Sequence, residues 1–268
     1  FEKVNFFKGA KKMTKTISFP HMADYYMPIK TFLSRTTKLK VKPAPTITKK
    51  TITLGAKYAP DSVCLPFKYN LGNFIESLED GANILFTAGG GCRYRYYAEI
   101  TETILKDLGY DFKFYNLISN GKLKITEVYK EFKELNPNLK FTYFIHQLLY
   151  TLLFIWNMDK IDKIIRLRIG FEIEKDSYIK EKKRMLKDFT STSSIIKMYY
   201  YYFKHKKLTK KIPYAKPKNC LKVGIIGELY TAMEPFATYF LEKELAKMHV
   251  EIKRYTNLSY LLWQKKFM

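Results

Sequence analysis

Short apolar runs alternate with longer amphipathic segments along the first 118 residues. The runs "TKTISFP", "LKVKPAP", "ANILFTA" and "FKFYNLI" have the length and the β-branched or aromatic content of strands. The segments "HMADYYMPIKTFLSR", "NLGNFIESLEDG" and "YAEITETILKDLGY" have helical periodicity instead. Strands that alternate with amphipathic helices are typical of a mainly parallel sheet. We therefore predict an α/β domain over residues 13–118.

The pattern changes twice in the rest of the chain. From residue 119 to residue 219 it is helical, with lysine-rich faces and no convincing strand. At Leu221 the alternation resumes, with "LKVGIIGE" and "VEIKRY" as strands and "MEPFATYFLEKELAKM" and "SYLLWQKK" as helices. These four elements make only the front half of a doubly wound domain. We therefore expect a helical insert at 119–219, a partial α/β domain at 221–268, and further chain after Met268.

One stretch, residues 141–158, approaches the length of a membrane span. His146, Gln147 and Asn157 interrupt it, and charged residues lie only at its flanks. We therefore predict a buried helix, and we expect no membrane among the partners.

The net charge of +23 is concentrated in two regions. Residues 1–50 hold 12 Lys and Arg against 2 Asp and Glu, a net +10, and residues 160–216 hold 17 against 6, a net +11. Such regions can bind nucleic acid or another anionic surface. The abundance of Lys with Ile, Tyr, Phe and Asn is also typical of an A+T-rich coding genome, which uses lysine on any solvated surface. We favour the second interpretation, so nucleic acid is not an expected partner.

A tyrosine run, "MYYYYFKHKK", lies within the basic helical insert. Its rings could stack on bases beside the lysines, as in proteins that bind single strands. Aromatic residues of a helix more often pack against neighbouring elements, and packing is our prediction for this run.

Three cysteines, Cys64, Cys92 and Cys220, are too few and too odd in number for a disulfide framework. No signal peptide is visible, so we expect a reducing cytoplasmic location. Cys220 precedes its strand, the wrong end for a shared site at the carboxyl edge of a sheet, and we interpret it as structural.

The turn "TAGGGCRYRYY", with Gly89, Gly90, Gly91, Cys92 and Arg93, joins a strand to a helix. It could cradle a phosphate on exposed N–H groups, although its spacing matches neither common phosphate-loop motif. Cys92 could be a nucleophile, because a helix N-terminus and adjacent arginines favour a thiolate. It could also ligate a metal, or the segment could be only a tight turn.

Two further features lie near the expected carboxyl edge of the sheet. "SVCLPFK" places Cys64 at a strand-like end before Pro66, where it could meet Cys92. His21 could serve as a base beside a cysteine nucleophile.

"GIIGELYTAMEP" carries Glu228 and Glu234 after a second glycine turn, which we interpret as a packed turn with solvated acids.

Several segments together resemble the acyl-CoA dehydratase activase-related proteins, also described as CoA-substrate-specific enzyme activases. The resemblance covers most of residues 14–118 and 221–255. It depends on the combination of "FPH" at residues 19–21, "CLPFK" at 64–68 and "GELYTAMEPF" at 227–236. The family turn carries a proline and ends in glycine, whereas this chain has Arg95 at the latter position.

The resemblance implies an iron–sulfur protein related to the 2-hydroxyglutaryl-CoA dehydratase component, with flavodoxin- or Rossmann-like α/β domains. It implies a [4Fe-4S] or related cluster with Cys64 and Cys92 as ligands. Gly89, Gly90, Gly91 and Arg93 would then surround the cofactor. The implied partners are an ATP-dependent activator that supplies low-potential electrons and an acyl-CoA. Two other functions stay open: a basic module for nucleic acid or anionic surfaces, and a cluster-free scaffold subunit.

Overall fold

The computed structural model describes residues 14–88, 96–118 and 124–263, which form six strands and eleven helices. The strands are β1 (Thr16–Ser18), β2 (Lys40–Val41), β3 (Ile84–Thr87), β4 (Lys113–Asn116), β5 (Lys222–Ile225) and β6 (Glu251–Arg254). The helices are α1 (Tyr26–Thr37), α2 (Lys49–Tyr58), α3 (Leu65–Glu79), α4 (Tyr97–Asp107), α5 (Ile125–Leu135), α6 (Phe141–Arg166), α7 (Ser177–Ser191), α8 (Ile195–Lys211), α9 (Leu229–Met233), α10 (Leu241–Lys247) and α11 (Leu258–Trp263).

The first four strands form one parallel sheet in the order β2-β1-β3-β4. Helices run between successive strands, as parallel pairing requires. The predicted α/β class with a parallel sheet is therefore confirmed. All four predicted strands of this region are present, although β2 is only two residues long.

Both faces of this sheet are covered by helices. Ile84 and Phe86 of β3 pack in one core with residues of α1, α5 and α6, whereas Leu85 packs in the other with residues of α3 and α4. This alternation follows from the opposite directions of successive side chains in a strand. A strand buried on both sides explains why "ANILFTA" reads as a continuous apolar run.

Two glycines let α2 and α3 approach at backbone distance. A Cβ on Gly72 would lie 1.9 Å from the Thr51 carbonyl oxygen, and one on Gly55 would lie 1.7 Å from that of Lys68. Since no side chain fits between the helices at this crossing, α2 holds the N-terminal half of α3 closely. That half begins at Cys64.

The middle of the chain is helical, as predicted, and α6 is its central element. Tyr150, Phe154 and Met158 of α6 are buried against α7 and α8, while the same helix also packs on α1. The predicted buried helix at 141–158 is confirmed within α6. In the described parts of the chain, no helix has both the length and the apolar character needed to cross a membrane.

The C-terminal region contains a second parallel pair, β5 with β6. The segment predicted as one helix, "MEPFATYFLEKELAKM" at residues 233–248, is helical mainly in α10, because α9 already ends at Met233. Tyr239 and Phe240 interrupt it with φ values of 52° and 58°, a left-handed conformation that a continuing α-helix does not contain. Helical periodicity alone did not reveal this break.

Candidate functional site

The carboxyl ends of β1 and β3 lie side by side where the strand order reverses. From β1 the chain moves outward to β2, and from β3 it moves in the opposite direction to β4. In open α/β sheets the loops after such a pair of strands flank a crevice that commonly binds ligands. The segment beginning Phe19-Pro20-His21 follows β1, and the glycine turn follows β3.

Cys64 stands at the N-terminus of α3 on the same side of the sheet, because α3 leads back into the start of β3. Its backbone is extended, with φ −69° and ψ 157°, and the helix begins at the next residue. The prediction of a strand-like end at Cys64 is therefore wrong. Pro66 in the first helical turn explains this, since proline is favoured where the backbone N–H needs no helical partner.

Tyr97, the first residue of α4, holds the Cys64 sulfur in place. The Tyr97 hydroxyl donates a hydrogen bond to Cys64 Sγ at 3.1 Å and accepts one from the Cys64 backbone N–H at 3.4 Å. The Tyr97 ring also meets the ring of Phe67 edge to face, with centroids 4.7 Å apart. These contacts of Tyr97 hold the N-termini of α3 and α4 next to each other, and the thiol of Cys64 beside them is exposed.

The electrostatic surroundings of the Cys64 sulfur favour a negative charge. Unpaired N–H groups at the start of a helix carry a partial positive charge. Two helices begin here, and the hydroxyl of Tyr97 adds a third donor beside the sulfur. An anionic ligand held by Cys64 would therefore be stabilised by the fold itself.

The predicted glycine-turn residues, Gly89, Gly90, Gly91, Cys92 and Arg93, lie outside the described residues. Their roles stay predictions.

His21 contacts α3 and Glu234, and its predicted pairing with Cys92 stays a prediction because Cys92 lies outside the described residues. The backbone N–H of His21 donates to Asn73 Oδ1 at 2.9 Å, and its Nδ1 lies 3.8 Å from Glu234 Oε2. Asn73 is nine residues after Cys64, which corresponds to about 13 Å along the axis of α3. His21 therefore contacts α3 about 13 Å along the helix axis from Cys64.

Glu234 is buried, so its interpretation as a solvated acid is wrong. Its carboxylate accepts a hydrogen bond from the backbone N–H of Ala23 at 2.7 Å. Glu228, by contrast, is exposed and caps α9 by accepting from the N–H groups of Tyr230 and Thr231. Glu234 therefore joins two parts of the fold, whereas Glu228 caps the start of a helix.

The three segments that carry the family resemblance meet in space. Tyr230 donates its hydroxyl to the His21 carbonyl oxygen at 3.0 Å, across 209 residues of sequence. Tyr69, five residues along from Cys64, stacks on Tyr230 with ring centroids 6.1 Å apart and contacts Phe236 edge to face. The "FPH" and "GELYTAMEPF" segments and Tyr69, the residue that directly follows "CLPFK", therefore form one junction, although nothing in their sequence spacing required it.

Cys220 is half-buried and lies just before β5. It precedes the amino end of its strand, as predicted, and makes no disulfide in the described chain.

A separate cleft of about 970 Å³ lies between α6, α7 and the C-terminal β5–β6 unit. Its charged walls include Asp24, Asp162, Arg166, Lys182, Glu242 and Arg254. Cys64, the predicted site residue that lies within the described ranges, does not line it. Sequence reasoning missed it because its walls come from distant segments that share no motif.

Several charged side chains in this cleft form ion pairs with one another. Lys182 Nζ lies 2.6 Å from Asp24 and 3.0 Å from Asp162, and Arg254 Nη1 lies 2.9 Å from Glu242. Burial alone would lower the pKa of Lys182, but the two aspartates outweigh it and raise that pKa. These pairs therefore link the walls of the cleft to one another.

A second buried cluster of polar side chains links α11 to α6 through hydrogen bonds. Tyr25 donates its hydroxyl to Asp159 at 2.6 Å, and the backbone N–H of Ser259 donates to the same carboxylate at 2.9 Å. Burial raises the pKa of Asp159 despite these hydrogen bonds, and burial together with Asp159 raises that of Tyr25. This cluster is internal, and we assign it to folding.

Within residues 14–88, 96–118 and 124–263, no three His, Cys, Asp or Glu side chains are placed to hold a metal together. Of the two predicted ligands, Cys64 lies in these ranges and supplies one thiol. No protein-family model matches this chain, and no curated protein is similar to it in sequence. Function must therefore be inferred from the geometry around Cys64.

Proposed function

We propose that the chain is an iron–sulfur protein of the 2-hydroxyacyl-CoA dehydratase and activase system. Cys64 and Cys92 would ligate a [4Fe-4S] or related cluster at the carboxyl edge of the first sheet. The cluster would supply one-electron chemistry at low potential, linked to ATP hydrolysis by a separate activator. The chain's own part is to hold the cluster, exclude competing groups and set its surroundings.

The observation that carries the proposal is the position of Cys64 beside α4. Tyr97 touches the Cys64 sulfur, and Cys92 comes only five residues before Tyr97 in the chain. A covalent tether this short spans at most about 18 Å, and less in a turn. This tether is long enough for Cys92 to reach the Cys64 sulfur, which supports the proposal that the two cysteines, 28 residues apart, share a site.

The strand order supports a flavodoxin-like form for this domain. The order β2-β1-β3-β4 is the one in which ligands bind beyond the ends of β1 and β3. The glycine turn follows β3, so its glycines would allow backbone N–H groups to approach a cluster closely. The β5–β6 pair would be the beginning of the second α/β domain.

The donors on hand fit such a group only in part. Cys64 offers a sulfur at two helix N-termini, which suits an anionic cluster. Four-cysteine ligation is usual for these clusters, and the chain has three cysteines in all. A later cysteine, another side chain, solvent or a partner would complete the ligand set, so we derive no reaction step at the cluster.

The partners belong to the same proposal. Leu65 and Tyr96 are exposed beside Cys64, with 43% and 53% of their surface accessible. An apolar rim of this kind suits docking of the ATP-dependent activator close to the cluster. An acyl-CoA would be the substrate of the assembled system, in the cytoplasm.

The test is iron and acid-labile sulfide analysis of protein produced and purified without oxygen. We expect wild type to be coloured and to contain both elements. Cys64→Ser and Cys92→Ser should each lose most of the iron and the visible absorption, because each removes one thiolate.

Cys220→Ser is the matched control, since it also removes one thiol but lies before β5. It should keep the iron content of wild type. A colourless wild-type protein, or equal iron in Cys64→Ser and Cys220→Ser, would contradict the proposal. In the first case the cluster-free scaffold becomes the better description.

A further inference from the structure

The outer face of α8 is an aromatic and basic surface that the proposed function does not use. The inner face of the helix is buried through Met198, Tyr202, His205 and Thr209. Met198 and Tyr202 belong to a core shared with α6 and α7, and His205 contacts Glu181 of α7. The opposite face is open to solvent over the whole helix.

Five residues follow one line along this open face: Ile196, Tyr200, Phe203, Lys207 and Lys211. Their spacing of four, three, four and four residues keeps them on one side of an α-helix. Ile196, Tyr200 and Phe203 are 83%, 65% and 60% exposed. We call these five residues the α8 stripe. Its first half is apolar and aromatic, and its second half is cationic.

The tyrosine run is therefore only partly packed. Tyr202 is buried in the helical core, as predicted, but Tyr200 and Phe203 point to solvent. The prediction that the run packs against neighbouring elements is wrong for these two rings. Burying them would gain free energy, so two such rings on one exposed helix face suggest a partner.

The charge around the stripe indicates an anionic partner. Residues 160–216 carry 17 Lys and Arg against 6 Asp and Glu. Lys204 is paired with Asp188 at 3.0 Å. Within the part of the chain that the structure describes, Lys207, Lys210 and Lys211 have no acidic partner. The cationic half of the stripe is thus free to meet phosphates.

We propose that the α8 stripe binds single-stranded nucleic acid. Bases would stack on Tyr200 and Phe203, and backbone phosphates would lie against Lys207 and Lys211. Rings that accept any base beside a positively charged track are the usual means of binding single strands without sequence preference. The proposal is independent of the iron–sulfur site.

The order of residues along the stripe, together with its charge, argues against a membrane surface or a second copy of this chain as the partner. A helix lying in a membrane interface keeps its lysines on the polar face, away from the lipid. Here Lys207 and Lys211 share the line of Ile196, Tyr200 and Phe203, so they would enter the apolar layer with them. A second copy of this chain would bring together two regions that each carry +11.

The test is fluorescence anisotropy with labelled oligo(dT), oligo(U) and duplex DNA, at salt concentrations from about 50 to 200 mM. We expect saturable binding to a single strand, tighter than to the duplex, in which the bases are not accessible for stacking. The arms with DNA and RNA decide which single strand is preferred.

Two double variants separate stacking from charge. Tyr200→Ala with Phe203→Ala should weaken binding at least about tenfold without changing its salt dependence. Its control, Tyr255→Ala with Tyr260→Ala, removes two exposed rings outside α8 and should leave binding unchanged.

Lys207→Gln with Lys211→Gln should reduce the slope of log affinity against log salt by about 1.4, or about 0.7 per lost phosphate contact. Lys49→Gln with Lys57→Gln removes the same charge from α2 and should reduce it much less. Absence of saturable binding to either single strand would overturn the proposal, as would equal losses in test and control pairs. Binding to phosphatidylserine vesicles that depends on Tyr200 and Phe203, without oligonucleotide binding, would replace it with a membrane-surface role.

Discussion

A single methyl group at Gly72 should force α2 and α3 apart. The added Cβ would lie 1.9 Å from the Thr51 carbonyl oxygen and 2.8 Å from its carbon. Nonbonded heavy atoms prefer a separation of about 3.5 Å or more, so the two helices must move apart by about 1 Å or more. Both contacting groups are backbone, and no side-chain rotation can relieve them.

The expected cost follows from two opposing effects. Overpacking of this kind costs about 1–3 kcal/mol, and a rigid backbone contact belongs at the upper end. Alanine is the better helix former than glycine by about 1 kcal/mol, which offsets part of the cost. We therefore expect Gly72→Ala to lower the free energy of unfolding by about 2 kcal/mol.

Urea unfolding followed by circular dichroism measures this change, which should lower the midpoint. Gly227→Ala is the control, because a Cβ there has no heavy atom within 4 Å and should be nearly neutral. If Gly72→Ala were as stable as wild type or more stable, helix propensity would dominate and the close crossing would be refuted. The movement of α3 should also disturb the contact of Tyr97 with Cys64.

Two further predictions concern the charged contacts between α7 and α8. His205 is buried between Glu181 at 2.7 Å and Asp188 at 2.9 Å. His205→Ala leaves the buried Glu181 without this partner and should lower the free energy of unfolding by about 3 kcal/mol. An unchanged midpoint in urea unfolding would contradict this. Burial alone would raise the pKa of Asp188, but hydrogen bonds from Lys204 and His205 outweigh it and lower that pKa. A lowered pKa stabilises the fold above the unfolded value of about 3.9, and this contribution disappears as pH falls through the folded value. The stability difference between wild type and Asp188→Asn should therefore be full at neutral pH and vanish in acid, and a difference of equal size in acid would contradict this.

The parallel sheet could be predicted because its strands are apolar on both faces and its helices are amphipathic. "ANILFTA" and "YAEITETILKDLGY" correspond to β3 and α4 for this reason. The start of α3 could not be read in the same way. Apolar residues around Cys64 suggested a strand end, while Pro66 in fact marks the first turn of a helix.

The candidate site was predicted less completely than the sheet. Cys64 was singled out for its expected place at the sheet edge, and its contact with Tyr97 depends on how α3 and α4 pack. The pairing of Ala23 with Glu234 joins residues 211 positions apart, and no local pattern encodes it. The outward direction of Tyr200 also escaped prediction, since four successive tyrosines leave the buried side of a helix ambiguous.

Thiol cross-linking tests most directly whether Cys64 and Cys92 share one site. In a Cys220→Ser background these are the two remaining cysteines, so a short bifunctional maleimide can join only them within one chain. We predict one cross-linker per chain in the metal-free protein, with the peptides of Cys64 and Cys92 joined in the mass spectrum. Two separate single-ended adducts, with no joined peptide, would contradict the common site and with it the proposed cluster.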